Sequence, residues 1–227
     1  MLDRYTITPK PDELALVLGV EISEHYEAQY NAAPTKLLPT VTSSDPEKIS
    51  FFHWGLMTMW SNNRAMSPKF FNLPAESVIQ KPSYRKKIGT HRCVIPMDGF
   101  YLWKQIAKKK QVPHYFFYPD KKVFSVAGIW EEGDDNSYSF IMITRPANKQ
   151  IVDFQDDMPA IMDTSSTRRW LESEDPEELQ ELLLKETDET FLSHTVGPKI
   201  RDIDANDVSF IQPAPASDQH GNYTLFT

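Results

Sequence analysis

The chain has 227 residues and a formal net charge of −8, with 40% hydrophobic and 25% charged residues. This composition is typical of a globular protein and excludes a disordered or fibrous chain. No segment approaches the roughly 18 consecutive apolar residues of a membrane-spanning helix, and the first residues lack the layout of a signal peptide. The single cysteine, Cys93, excludes a disulfide framework and a zinc site built from several cysteines. We therefore expect a cytoplasmic monomer without a metal or other cofactor.

The charges are concentrated in two blocks of opposite sign. Residues 77–111 carry nine Lys and Arg against the single acid Asp98, whereas residues 172–189 carry nine acids against Lys185 alone. Screening in physiological salt is strong beyond about 8 Å, so an acidic helix that lies far away would not cancel a basic face. The basic block is a candidate surface for phosphate contacts, and a solvated charged loop is the alternative interpretation.

The first third of the chain predicts a short helix followed by strands. Leu14, Val17 and Leu18 recur at helical spacing within a helix predicted over residues 12–20. Residues 36–41 and 49–57 are rich in apolar and aromatic residues and predict strands. A polar turn over residues 42–47 is expected to join them, and residues 61–74, with two prolines and three asparagines, are expected to be irregular.

The middle of the chain predicts mainly strands. Residues 93–96 and 100–103 are expected to form two short strands joined at Asp98-Gly99. Residues 112–118, 123–130 and 137–144 predict three further antiparallel strands with turns between them. The three lysines at 108–110 are expected to form a hairpin tip.

Helices are expected after residue 145. Thr164 or Ser165 can cap a helix that runs through Leu171, and Asp175 followed by Pro176 is a good start for the next helix. Residues 208–211 predict a last strand, and the polar residues 213–227 predict a loose tail. The order of elements indicates an α+β fold: one domain over residues 1–212, with a curled, mostly antiparallel sheet or barrel flanked by helices.

General catalytic motifs are absent from the sequence. It has no phosphate-binding glycine loop, no nucleophile elbow and no paired histidines at metal-ligand spacing. Cys93 lies in an apolar strand, where a cysteine acts as a small hydrophobic side chain. Asp153, Asp156 and Asp157 form either a carboxylate site or, as the turn around them favours, a set of loop and capping residues.

Eight short segments occur in a fixed order along the chain, and the resemblance that they carry extends over roughly residues 2–212. They are Met1–Tyr5, Tyr30–Thr35, Trp54–Leu56 with Trp60, Asn72 with Glu76, Lys81–Arg85, Arg92–Lys104, Ala127–Glu131 and Phe154–Ile161. Together they resemble the SRAP family, the SOS-response-associated peptidase domains that bind abasic sites in single-stranded DNA. The resemblance implies a reaction in which an N-terminal cysteine, assisted by a glutamate and a histidine, forms a cross-link with the ring-opened abasic aldehyde.

The positions that carry this chemistry are altered in the present chain. Leu2 occupies the cysteine position, Leu102 the glutamate position and Gln155 the histidine position, and none of these side chains is a nucleophile or a proton carrier near neutral pH. Pro74 replaces an arginine, whereas Asn72 is retained. The sequence therefore indicates a member of the family that has lost its catalytic residues.

Three hypotheses remain open from the sequence. The first is an inactive protein that still binds single-stranded DNA, through Arg4, Asn31, Pro34, Trp60, Asn72, Arg85, Lys86 and Arg92. The second is a protein-interaction module that does not bind DNA, and the third is a catalyst with rearranged chemistry. Trp60 is expected to stack on a base or to pack in the core, and Asn31 and Asn72 are expected to bind DNA or to hold the backbone.

Overall fold

The computed structural model describes residues 2–22, 26–55, 71–133, 136–186 and 190–224. Its α-helices there are α1 (Pro11–Leu18), α2 (Ala75–Gln80), α3 (Pro82–Thr90), α4 (Thr164–Glu172) and α5 (Pro176–Leu184). Its strands are β1 (Tyr5–Ile7), β2 (Gln29–Ala32), β3 (Leu37–Thr42), β4 (Asp45–Trp54), β5 (Asn72–Pro74), β6 (Arg92–Met97), β7 (Gly99–Ala107), β8 (Lys110–Phe117), β9 (Phe124–Glu132), β10 (Tyr138–Pro146), β11 (Asp157–Pro159), β12 (Ile161–Met162) and β13 (Leu192–Thr195). No helix in these ranges is long and apolar enough to cross a membrane.

Five strands close into a ring, in the order β10-β4-β3-β6-β9 and back to β10. The pairs are antiparallel except where β10 runs parallel to β4 and then to β5. Alternate side chains of these strands fill the interior, including Cys93, whose thiol pKa is raised by burial. The prediction of an α+β fold with a curled, mostly antiparallel sheet is confirmed.

A second sheet has the order β13-β8-β7-β1-β2. Its longest pair is the β7–β8 hairpin, whose turn at residues 108–109 confirms the predicted lysine tip. The strands predicted at 112–118 and 123–130 do not pair with each other, contrary to expectation. β8 joins the second sheet, whereas β9 joins the ring between β6 and β10, because the residues between them carry the chain from one sheet to the other.

Helix ends follow local side-chain chemistry. Asp175 caps α5, as predicted, because its carboxylate accepts a hydrogen bond from the Glu177 N–H at 2.9 Å. The cap of α4 is Asp163 rather than Thr164 or Ser165, since the Asp163 carboxylate accepts from the Ser166 N–H at 2.6 Å. An apolar strand ends immediately before Asp163. Asp163 is therefore the first residue after the strand whose side chain can cap α4.

Three further expectations differ from the structure. The polar turn is shorter than predicted, because β4 already begins at Asp45. Residues 208–211 form a 3-10 helix rather than a strand, since Asp207 caps that segment by accepting from the Ser209 N–H. Residues 213–224 are not loose: Asp218 is 1% exposed and accepts hydrogen bonds from the backbone of residues 220 and 222. Residues 56–70, where part of the second strand and the irregular segment were predicted, lie outside the described residues.

Candidate functional site

Leu2 lies where the resemblance places a nucleophilic cysteine. Its side chain is fully buried, and its backbone carbonyl accepts a hydrogen bond from Asn72 Nδ2 at 2.5 Å. Asn72 opens β5, which the parallel register with Met142 of β10 holds in place. The structure thus brings these two predicted positions together, and an apolar side chain occupies the position of the reactive group.

Leu102 and Gln155 occupy the expected acid and base positions without either chemistry. Leu102 is fully buried in β7 and pairs directly with His114 of β8. The side-chain amide of Gln155 donates to the carbonyl of Asp157 at 2.6 Å, so that it stabilises the turn before β11. A leucine cannot exchange a proton, and an amide does not titrate near neutral pH.

Arg4 belongs to a group of charged and aromatic side chains beside Leu2. Its guanidinium donates to the Asp3 carbonyl at 2.5 Å, and the Asp3 carboxylate accepts from Trp103 Nε1 at 2.9 Å. The guanidinium of Arg201 lies 4.4 Å from the centre of the Trp103 ring, at cation–π distance. Burial lowers the pKa of Arg201; the Asp3 carboxylate opposes this effect and the Arg4 charge adds to it. Asp3 and Trp103 therefore link the two arginines within one group of contacts.

Lys36 and Asn31 extend this group. Lys36 Nζ donates to the Asn31 carbonyl at 3.2 Å. Burial lowers the pKa of Lys36, which the nearby Arg4 charge lowers further, whereas Asp204 and Asp202 raise it. The Asn31 amide donates to the carbonyls of Asp202 at 2.7 Å and Ala205 at 3.0 Å, so that one function of Asn31 is to hold the C-terminal segment.

We define the N-terminal cluster by the residues that these contacts connect. They are Leu2, Asp3, Arg4, Asn31, Lys36, Asn72, Trp103 and Arg201. Four buried polar atoms within it have no hydrogen-bond partner in the described part of the chain: Arg4 Nε, Asn31 Oδ1, Asn72 Oδ1 and Arg201 Nε. A buried polar atom without a partner costs about 1–3 kcal/mol, so a bound water or a ligand group at these four atoms would stabilise the cluster.

Arg92, predicted as a DNA contact, has a structural role instead. It is 4% exposed, and its guanidinium donates to backbone carbonyls at the end of α3 and at the end of α4. These bonds join two helices to β6. A phosphate contact would have to break them, so Arg92 is excluded from the candidate interface.

The other predicted DNA contacts are scattered. Arg85 and Lys86 are exposed on α3, which packs against the acidic helix α5 as well as against α2 and β6. The basic helix α3 therefore packs against the acidic helix α5 rather than lying far from it. Pro34 is half-buried in the turn between β2 and β3, and Trp60 lies outside the described residues.

Sequence reasoning missed a second group of side chains, next to Leu102 on the same face of the β7–β8 hairpin. A depression of about 490 Å³ is lined by Lys104, His114, Phe154, Ser193, His194 and Thr195. Period-two alternation from Leu102 to Lys104 could have indicated this face, but the pairing of Leu102 with His114 depends on the hairpin register. We call this feature the Lys104 depression.

The described residues contain no group of three His, Cys, Asp or Glu side chains arranged to bind a metal ion. Of the three acids around residue 155, Asp157 begins β11 and the Asp156 carbonyl accepts from the Ala147 N–H at 3.0 Å. The loop interpretation of these acids therefore agrees with their contacts.

Comparisons with known proteins agree with the resemblance. A family model described as SOS response associated peptidase (SRAP) matches residues 1–203. The abasic site processing protein YoqW of Bacillus subtilis is 29% identical over 193 residues, which cover 81% of this chain and 86% of YoqW. The abasic site processing protein HMCES of Xenopus tropicalis is 27% identical over 186 residues, which cover 66% of this chain and 55% of HMCES.

A solved structure of a protein from Bacteroides thetaiotaomicron is similar to this chain with a TM-score of 0.77 at 24% identity. The match covers 93% of this chain and 99% of that protein, so the two share one fold over almost their whole length.

Proposed function

The chain belongs to the SRAP family, and we propose that it binds single-stranded DNA at abasic sites without forming the stable cross-link of the family. Relatives named abasic site processing proteins support a role in the response to DNA damage. The proposal separates two properties, strand binding and covalent chemistry, since different residues of the site carry them.

Strand binding is supported above all by the N-terminal cluster, in which four buried polar atoms have no hydrogen-bond partner within the described ranges of the chain. Arg4, Lys36 and Arg201 are positively charged groups that can meet phosphate oxygens. Three nearby acids, Asp3, Asp202 and Asp204, reduce the local positive charge, so we expect moderate rather than tight binding.

Loss of the stable cross-link is supported by the side chains that occupy the reactive positions. The side chains of Leu2 and Leu102 are hydrocarbons without a reactive group, and both are fully buried. The Gln155 amide is engaged with the Asp157 carbonyl. A positioned acid or base commonly contributes about 10²–10⁴ in rate, and both are absent here.

Salt titration of binding to single-stranded DNA with one abasic site tests the first part. Affinity should fall steeply with salt, and Arg201→Ala should weaken binding and lower the log–log slope by about 0.7, the contribution of one phosphate contact on a single strand. Arg168→Ala is the control, because Arg168 is 79% exposed on α4 and outside the cluster. Arg85→Ala with Lys86→Ala tests whether α3 also contacts the strand.

Trp60 is tested in the same assay. If Trp60 stacks on a base, Trp60→Ala should weaken binding by about 1–3 kcal/mol with little change in slope, since stacking releases few counterions. A denaturing gel without borohydride tests the second part, and no shifted band is expected. A stable band would contradict the loss of the cross-link, and an affinity weaker than roughly 10⁻⁴ M would contradict DNA binding and favour the protein-interaction hypothesis.

A further inference from the structure

The Lys104 depression places a primary amine near Leu102 and Gln155, two of the three lost catalytic positions. Lys104 lies two residues after Leu102 in β7, so both side chains are on the same face of the strand. The Lys104 ammonium is 5.6 Å from the centre of the Phe154 ring. Phe154 immediately precedes Gln155 in the chain. The side chain of Lys104 is half-exposed in this depression.

His114 is the titratable group that shares this depression. Its ring lies 5.0 Å from the Phe154 ring, and it pairs across the strands with Leu102. Burial lowers the pKa of His114; the Val112 carbonyl opposes this effect, and Lys104 and His194 add to it. The imidazole is therefore neutral at pH 7, and with Nδ1 against the Val112 carbonyl at 3.2 Å, Nε2 is the nitrogen that can accept a proton.

We propose that Lys104 captures the ring-opened aldehyde of an abasic site as a reversible imine. This inference rests on the proposed function, since the strand must bring the aldehyde to the site. Leu2 has removed the thiol that would trap such an adduct, whereas Lys104 retains the one group needed to form it.

The reaction is balanced without a further reactant. Lys104 Nζ first loses a proton, which His114 Nε2 accepts, and its lone pair then attacks the aldehyde carbon. The alkoxide oxygen takes this proton back from His114, and the nitrogen then gives a proton to the imidazole, which leaves a carbinolamine. His114 returns that proton to the hydroxyl group, which departs as water as the C=N bond forms. Amine and aldehyde thus give imine and water, and the same steps in reverse release the DNA unchanged. Such an adduct does not survive a denaturing gel unless it is reduced.

Borohydride trapping tests the inference on the full chain. The protein is incubated with single-stranded DNA containing one abasic site, sodium borohydride reduces the imine to a stable amine, and peptide mass spectrometry locates the modified residue. We expect a band that requires borohydride and an adduct on Lys104. Lys104→Arg keeps the positive charge but offers no nucleophilic amine, so the band should be lost while affinity and salt slope remain.

Two further variants sharpen the test. Lys109→Arg makes the same replacement at the exposed hairpin tip and should leave the band unchanged. His114→Gln should slow band formation by roughly 10²-fold, the low end of the contribution of a positioned base, without changing the salt slope. An adduct that persists in Lys104→Arg, or that maps to the amino terminus or to another lysine, would overturn the assignment.

The outcome also separates this inference from the proposed function. Strand binding without an adduct on Lys104 would overturn only the inference. The small aldehyde 2-deoxyribose 5-phosphate provides the reciprocal test, because it reaches the depression without a DNA strand. Trapping of this sugar on Lys104 by a protein without DNA affinity would support the amine assignment and overturn the proposed DNA function.

Discussion

Leu2 and Asn72 show how single residues can keep a structural contact after chemistry is lost. The Asn72 amide holds the Leu2 carbonyl, a bond that depends on the backbone of residue 2 and not on its side chain. The side chain of Leu2 instead joins the hydrophobic core, as does Leu102. The two positions thus contribute packing energy where the family resemblance implies reactive groups.

Restoring the reactive groups should restore cross-linking in steps. Leu2→Cys supplies a thiol, and adding Leu102→Glu and Gln155→His supplies the acid and the base. We expect slow cross-linking to abasic single-stranded DNA for the single variant and a rate higher by about 10²–10⁴ for the triple variant, followed on a denaturing gel without borohydride. Leu14→Cys is the control, because Leu14 is equally buried in α1 and should give no band.

The stability of these variants has to be measured in parallel. The cavity left by Leu2→Cys is expected to cost about 1–3 kcal/mol, toward the low end of the range for Leu→Ala. A carboxyl group at position 102 would be buried, which also costs stability. Urea unfolding establishes that each variant is folded at the assay temperature. Equal cross-linking rates of the folded single and triple variants would contradict roles for positions 102 and 155.

Among the elements, α4 and α5 depend on their polar ends. The Asp163 carboxylate caps α4 and also accepts from Lys185 Nζ at 2.8 Å, just beyond the end of α5. Lys185 Nζ donates further to Ser166 Oγ at 3.0 Å. A single acid therefore connects the start of one helix to the end of the other, while α5 also packs against the basic helix α3.

Removal of the Asp163 cap should destabilise the protein in a pH-dependent manner. The hydrogen bond from Lys185 and the Ser166 N–H lower the pKa of Asp163 to about 2. Because the folded pKa lies below the unfolded value, this contribution is complete above about pH 4 and is lost as pH falls toward 2. Asp163→Ala should cost about 1 kcal/mol at pH 7, as measured by urea unfolding.

The pH series supplies the decisive comparison. The difference between Asp163→Ala and the unmodified protein should shrink as pH falls from 4 to 2, since protonated Asp163 no longer accepts these bonds as a carboxylate. Asp153→Ala removes an acid from an exposed position outside the helices and should leave stability within about 0.5 kcal/mol. A difference for Asp163→Ala that is constant with pH would contradict the capping role.

At the scale of the whole molecule, the closed ring depends on close approach between strands. Gly128 of β9 pairs with Cys93 of β6 on one side and with Met142 of β10 on the other. A Cβ atom at Gly128 would lie 2.5 Å from Ile95 Cδ1, 2.9 Å from the Cys93 sulfur and 3.1 Å from the Ile141 carbonyl oxygen. The Ile95 side chain can move aside. The Ile141 carbonyl belongs to the backbone of β10, and β10 can move away only if the ring opens.

Gly128→Ala should therefore destabilise the fold by about 1–3 kcal/mol, the usual cost of overpacking, as measured by the midpoint of urea unfolding. Gly89→Ala is the matched control, because a Cβ atom there would have no neighbour within 4 Å and Gly89 lies in α3. We expect that control to stabilise the protein by about 0.5–1 kcal/mol through helix propensity. Equal effects of the two substitutions would contradict close packing at Gly128.

The sequence by itself determined the family and much of the local structure. Family identity follows from the order of short motifs, and the Asp175 cap and the Asp98-Gly99 turn follow from residues that act on their immediate neighbours. The loss of catalytic groups at Leu2, Leu102 and Gln155 is likewise visible from residue chemistry alone. These features depend on interactions within a few residues along the chain or on the side chain itself.

Only the tertiary structure decided which charged residues remain available to a ligand. Five backbone carbonyls accept hydrogen bonds from the guanidinium of Arg92, whereas Arg4 Nε has no hydrogen-bond partner among the residues that the structure describes. The pairing of β10 with β4 and β5 likewise joins residues far apart in the chain. The depression that holds Lys104 and His114 also includes Phe154 and residues 193–195, which are distant in the chain. Local periodicity carries no information about such contacts, because their free energy arises only when the distant segments are packed together.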